Sequence, residues 1–210
     1  PVKRRVTSRA SGAMTGVLDG EEMTLPRAAD RLLLTDRTAR ETAWRAIALR
    51  RLEDHQTLDD LLDTLVKLRH QAALNAGFDN YRDYMFAAMG RFDYTPQDCF
   101  AFHEAVEEAV VPILNTLAQE RKEALRLDQL RPWDSKVDIE GRAPLKPFQG
   151  GQDLLDRTID CFTRLHPYFG ECLTVMKAMG HLALEARKGK APGGYNYPLP
   201  ETGGPFVFMK

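Results

Sequence analysis

Cysteine is scarce in this chain of 210 residues: Cys99, Cys161 and Cys172 are the whole complement. The count is odd, the three are far apart and no C-x-x-C pair occurs. That excludes a disulfide framework and a thiolate-only zinc site, and leaves reduced thiols carried on helices as the expectation. Long apolar runs are missing too. The longest is a few residues, far short of the ~20 that a membrane-spanning helix needs. Charge of one sign is not in excess, since 29 Lys and Arg face 30 Asp and Glu for a formal net charge of −1. No global basic field therefore points to nucleic acid. Neither a charged-then-apolar leader nor a small-residue cleavage site opens the sequence, so a cytoplasmic protein is expected. The first residue is Pro1 rather than Met, which suggests a chain cut from something longer. No P-loop, G-x-S-x-G elbow or G-x-G-x-x-G follows a predicted strand.

What is present is the composition of an ordinary soluble globular protein, 43% hydrophobic and 28% charged, with enough length for one substantial core or a core with a small appendage. The pattern predicts a mainly α fold: several helices, a small hairpin near the N-terminus and an extended β segment at the C-terminus. Asp19-Gly20 between short apolar-bearing runs signals the hairpin. Thr24 followed by Pro26 starts a helix. Over 36–75 apolar residues including Trp44, Ile47, Leu58, Leu62 and Leu65 recur at three- and four-residue steps, giving one long helix or two in line. Gly77 closes that stretch. Asn80 opens a helix over 81–89 that Gly90 stops, and Thr95-Pro96-Gln97-Asp98 starts another that reaches about Leu125 with a kink at Pro112. The glycines and prolines of 130–151 break the pattern, with a short turn or strand pair expected near 137–142. Helices are then expected over 152–165 and 167–187, and an extended end over 189–210. The domain division read from this is a hairpin and linker over 1–25, a helical domain over 26–188 and an extended segment over 189–210.

Few residues carry chemistry in this pattern. Helical zinc peptidases need H-E-x-x-H, two imidazoles one turn apart with a glutamate that activates bound water. His103-Glu104-Ala105-Val106-Glu107 has glutamate where the second histidine belongs, so two donors one turn apart remain, which read as an ordinary surface pair or as the start of a metal centre. His55, His70, His166 and His181 are scattered over separate segments and read as capping or core-edge residues. The aromatic runs 78–86 and 92–94 read as packing around a helix corner. Gly193-Gly194-Tyr195 is more informative. Paired glycines weaken a strand and often mark close approach of another backbone or a ligand. Such a segment either pairs with a bound peptide by strand addition or is a plain loop.

Several runs, taken together, resemble one family. They are Asn75-Ala76-Gly77-Phe78-Asp79-Asn80-Tyr81-Arg82-Asp83-Tyr84, Met89-Gly90-Arg91-Phe92-Asp93-Tyr94, Leu130-Arg131-Pro132-Trp133-Asp134 and Arg187-Lys188-Gly189-Lys190-Ala191-Pro192-Gly193-Gly194-Tyr195. In this order they resemble the oligoendopeptidase F branch of the thimet-oligopeptidase-like zinc peptidases. The resemblance implies a largely helical enzyme whose deep channel admits short peptides. It also implies that zinc belongs to the full-length parent, on an H-E-x-x-H helix that this sequence lacks, as it lacks the N-terminal domain. No catalytic or metal residue carries over. Gly193, Gly194 and Tyr195 match the cleft-edge segment and are expected to bind substrate backbone. The chain alone is expected to hold no zinc, to be inactive and to self-associate through exposed apolar faces, with neither nucleic acid nor membrane as partner. The alternative is a non-catalytic helical module that binds peptides or a protein.

Overall fold

The computed structural model describes residues 12–191 and 193–209. Residues 1–11 of the expected hairpin and linker segment, together with Pro192 and Lys210, lie outside the described residues. The chain is mainly helical, with an N-terminal hairpin and C-terminal strands, as the pattern predicts. It divides into two units, residues 1–52, 136–138 and 142–210 in the first and 53–135 with 139–141 in the second.

In the first unit, β1 (Thr15–Leu18) pairs antiparallel with β2 (Glu21–Thr24), and Leu18 stands opposite Glu21. The two residues between them, Asp19 and Gly20, have φ of 55° and 81°. A two-residue loop with both φ positive matches the right-handed twist of the flanking strands, and glycine occupies its second place without a Cβ penalty. Thr24 precedes α1 (Leu25–Ala29), with Pro26 in the first turn. A 3₁₀ turn (Asp30–Leu33) and α2 (Arg37–Glu53) follow. Buried Met14, Leu18, Met23, Leu25, Ala28, Leu32, Ala43, Ile47 and Val137 form the apolar interior of this part. Arg40 is also buried, and its guanidinium donates to the carbonyls of Leu34 and Thr35, both at 2.9 Å.

Further along the same unit, α6 (Gly150–Leu165) and α7 (Pro167–Ala178) form a hairpin of helices, burying Leu155 and Met176. His166 caps α7, its Nδ1 accepting from the Tyr168 N–H at 3.2 Å. The expected helix over 167–187 is corrected here, because α7 ends at Ala178. Gly180 has φ of 67°, its N–H donates to Lys177 O and the His181 N–H donates to Met176 O. That left-handed cap satisfies the last carbonyls and ends the helix, so the apolar Leu182 and Ala183 become strand β3 (Leu182–Ala183). A three-stranded sheet is completed by β4 (Gly194–Leu199) and β5 (Gly204–Met209), in the order β3-β5-β4.

The second unit contains α3 (His55–Asn75), α4 (Tyr81–Ala88) and α5 (Pro96–Ala124). The stretch 36–75 is therefore two helices, separated at Asp54. Three of the helix ends in this unit use the same left-handed cap, at Gly77, Gly90 and, without glycine, Arg126 with φ of 54°. At the start of α5, Thr95 Oγ1 accepts from the Asp98 N–H, while Asp98 Oδ2 accepts from the Thr95 hydroxyl and from the Thr95 N–H, both at 2.7 Å. These bonds hold the Asp98 carboxyl below its usual value, the Thr95 hydroxyl contributing most. Pro112 lies within α5, which runs on past it. Residues 137–142 form no strand pair; they contain a turn at 139–140 followed by Gly141 with φ of 74°.

Candidate functional site

The candidate site grows out of the three-stranded sheet. β5 is central, parallel to β3 and antiparallel to β4, with Tyr195 opposite Phe208, Asn196 opposite Val207 and Tyr197 opposite Phe206. The Val207 N–H donates to His181 O at 2.9 Å. Val207 therefore turns its backbone toward β3, and the Asn196–Val207 pair is one of the non-hydrogen-bonded pairs of the β4–β5 ladder. Pro198 opposite Pro205 falls in the same phase, as two residues without N–H must. Alternation then fixes the rest. Tyr195, Tyr197 and Leu199 bond to β5, while Gly194, Asn196 and Pro198 turn their backbone groups to the open side of β4. No strand pairs with that side among the described residues. The free edge thus offers the N–H and C=O of Gly194 and Asn196 and the C=O of Pro198, spaced two residues apart as the groups of an extended peptide are.

The three residues expected to bind substrate lie together at the start of this edge. Gly193 has φ of 100°, a conformation that requires glycine there. Gly194 is the first residue of β4, and a Cβ on it would come within 3.3 Å of Phe208 O. The Tyr195 ring stacks on Phe208, with centroids 4.9 Å apart and planes 10° from parallel. Tyr195 and Tyr197 are both exposed. On the other flank of β5, buried His181 lies 6.0 Å from the Phe206 ring, its Nδ1 within 3.2 Å of Pro205 O.

Lys190 is the residue that the sequence reading missed. It is 6% exposed; its Nζ donates to Ala183 O at 2.8 Å and to Glu185 O at 2.9 Å, and lies 4.5 Å from the Phe208 ring centroid. One ammonium thus joins β3, the loop after it and the aromatic pair beneath β4. The signal was weak, because a lysine in a run of basic residues and glycines reads as solvated. The preceding residues are tied to the N-terminal part. The Gly189 N–H donates to Gly12 O at 2.9 Å, and a Cβ on Gly12 would come within 2.8 Å of Lys190 O. Lys188 Nζ donates to Glu22 Oε1 at 2.8 Å, and Thr15 Oγ1 donates to the same oxygen at 2.7 Å. Lys188 first, then Thr15, holds the Glu22 carboxyl below the ordinary range. A depressed carboxyl stabilises the fold at neutral pH, and that contribution is lost as pH falls through its folded value. Glu22→Gln is expected to speed exchange of the Gly189 amide several-fold at pH 7, read by hydrogen exchange. An exchange rate equal to the parent's would show that the exposed pair does not hold this segment.

The candidate metal residues are placed differently. His103, Glu104 and Glu107 are exposed on α5, where the His103 ring neighbours those of Phe100 and Phe102. Among the described residues no three His, Cys, Asp or Glu side chains converge as metal ligands do. This donor set does not fit a catalytic zinc, so no hydrolytic step is assigned to it. Cys99, Cys161 and Cys172 are free thiols on α5, α6 and α7. Among the described residues no helix is long and apolar enough to cross a membrane.

Known structures agree with this architecture. The chain superposes on a Bacillus anthracis str. Ames protein described as an oligoendopeptidase F, with TM-score 0.90 and 23% identity over all of this chain and 38% of that one. A PZ peptidase A with an inhibitor gives TM-score 0.90 and 26% identity, again over all of this chain and 38% of that one. Another structure described as an oligoendopeptidase F gives 0.91 and 24%, over all of this chain and 37% of that one. The chain thus spans well under half the length of these structures. No curated protein matches it. The sequence model of peptidase family M3 matches residues 32–148, more than half of the chain, and the chain belongs to that family.

Proposed function

We propose that this chain is the channel-wall and cleft-edge part of a zinc metalloendopeptidase that hydrolyses short oligopeptides, and that it binds peptide without cleaving it when alone. The observation that carries this reading is the free edge of β4, with its two outward N–H and three outward C=O groups. An extended peptide adds to such an edge as a further strand, its main chain giving affinity and its alternate side chains giving selectivity. Family membership supports a peptide as the ligand. Zinc and its ligands belong, on this reading, to the rest of a longer enzyme. Exposed Phe102, Ile113, Leu114 and Leu117 on α5 are apolar surface that such a remainder would cover and through which the chain alone would self-associate. The free thiols suit the reducing cytoplasm. A second reading, a non-catalytic peptide- or protein-binding module, is favoured by the same edge, because strand addition needs no metal.

Asn196→Pro tests the edge. It removes an outward donor but no bond to β5, so peptide affinity is expected to fall about tenfold in fluorescence anisotropy while the fold survives. Unchanged affinity would refute docking on β4. Cleavage of a quenched peptide by the chain together with its missing partner segment, abolished by a chelator, would favour the peptidase reading over the binding module.

A further inference from the structure

A cavity of about 260 Å³ lies in the first unit, away from the open side of β4, between the hairpin with α1 and residues 186–188. Its lining includes Glu22, Thr24, Arg27, Arg187 and Lys188. The charges do not cancel. Lys188 is matched by Glu22, which also accepts from Thr15. Neither Arg27 nor Arg187 has a carboxylate partner among the described residues, whereas nearby Arg31 pairs with Asp19 at 3.2 Å. Arg27 and Arg187, from distant parts of the sequence, thus line one small space without a carboxylate of their own, and the net positive charge there favours an anion. Thr24 also lines the cavity. Its Oγ1 is buried, makes no hydrogen bond among the described residues and does not cap α1. The Arg187 side of the cavity is held in place by the Lys188–Glu22 and Gly189–Gly12 bonds.

We propose that this cavity binds an oxyanion, a carboxylate or a phosphate, between the guanidinium forks of Arg27 and Arg187. Planar forks of N–H donors match either group, and both forks keep their charge at any physiological pH. A peptide carboxylate and inorganic phosphate share this chemistry, so titration calorimetry of the chain at low salt uses three probes: inorganic phosphate, a short peptide ending in a free acid, and the same peptide ending in an amide. Binding is expected to weaken about tenfold in Arg27→Met and in Arg187→Met and to hold in the Arg31→Met control. Both arginines are exposed, and an unchanged melting temperature checks that the variants fold. An acid peptide that loses its advantage over the amide in the arginine variants identifies a carboxylate ligand. Phosphate binding lost in those variants, with acid and amide equal throughout, identifies phosphate. If neither phosphate nor the free acid end gives binding that the arginine variants weaken, the proposal is overturned. Asn196→Pro separates the two sites, because it is expected to weaken acid and amide peptides alike and to leave phosphate binding unchanged.

Discussion

Gly170→Ala is expected to lower the melting temperature of the chain by about 6–12 °C, corresponding to a loss of about 3 kcal/mol. Gly170 is buried where α7 packs on α6. A Cβ there would come within 2.0 Å of Thr163 Oγ1, 2.9 Å of Thr163 Cβ and 3.1 Å of Thr163 Cα. The hydroxyl can rotate away, at the cost of its 2.7 Å bond to Ile159 O. The Cβ and Cα cannot, so α6 and α7 must separate, and the packing of buried Leu155 and Met176 loosens with them. Helix propensity acts the other way, since alanine is the better helix former by about 1 kcal/mol, which makes a net loss the more diagnostic result. Adding Thr163→Ala should recover part of the loss by removing the closest atom while leaving the Cβ overlap. A single variant that melts at the parent's temperature would mean that the helices are not held at this distance.

Much of the fold was legible because its signals are local. Asp19-Gly20, Thr95-Pro96 with Asp98, and Gly77 and Gly90 each encode a turn or a cap within a few residues, and the structure uses all of them. The end of α7 was misread because Leu182 and Leu184 extend a helical period, while the decision lies in the left-handed backbone of Gly180. A glycine within an apolar period is compatible with helix, and it is the cap bonds at Gly180 together with the strand bond from the Val207 N–H to His181 O that take the chain out of it there. The site was half legible. Gly193-Gly194 announced a special backbone, but which groups face outward depends on the phase of the β4–β5 ladder, and that is set by residues far from the glycines. The linking role of Lys190 was invisible for the same reason, since its acceptors, Ala183 and Glu185, and its aromatic neighbour Phe208 meet only in the folded chain.

Lys190→Met should cost about 3 kcal/mol, by loss of two charge-assisted bonds to carbonyls, and should weaken peptide binding as well. Methionine fills nearly the same volume and keeps the contact with Phe208, so the loss isolates the ammonium group rather than the packing. Without Nζ, Glu185 O loses its donor, Ala183 O is left with its β3–β5 ladder pairing, and the loop between β3 and β4 is released from the ammonium. Among the described residues, the strand that presents Gly194 and Asn196 is then anchored by its ladder to β5 and the Tyr195–Phe208 stack. An edge that must order itself as it binds pays the ordering entropy at that moment, so affinity falls although no contacting group has changed. Hydrogen exchange should therefore show faster exchange for the amides of 194–199, and the affinity loss should exceed that of Lys188→Met, whose ammonium is exposed. Arg is a useful third variant: it keeps the charge, but its fork is too bulky for a pocket fitted to one nitrogen, so it should rescue little. Slow exchange over 194–199 together with unchanged peptide affinity in Lys190→Met would show that the edge is ordered by the β5 ladder alone and that the buried ammonium serves only the loop.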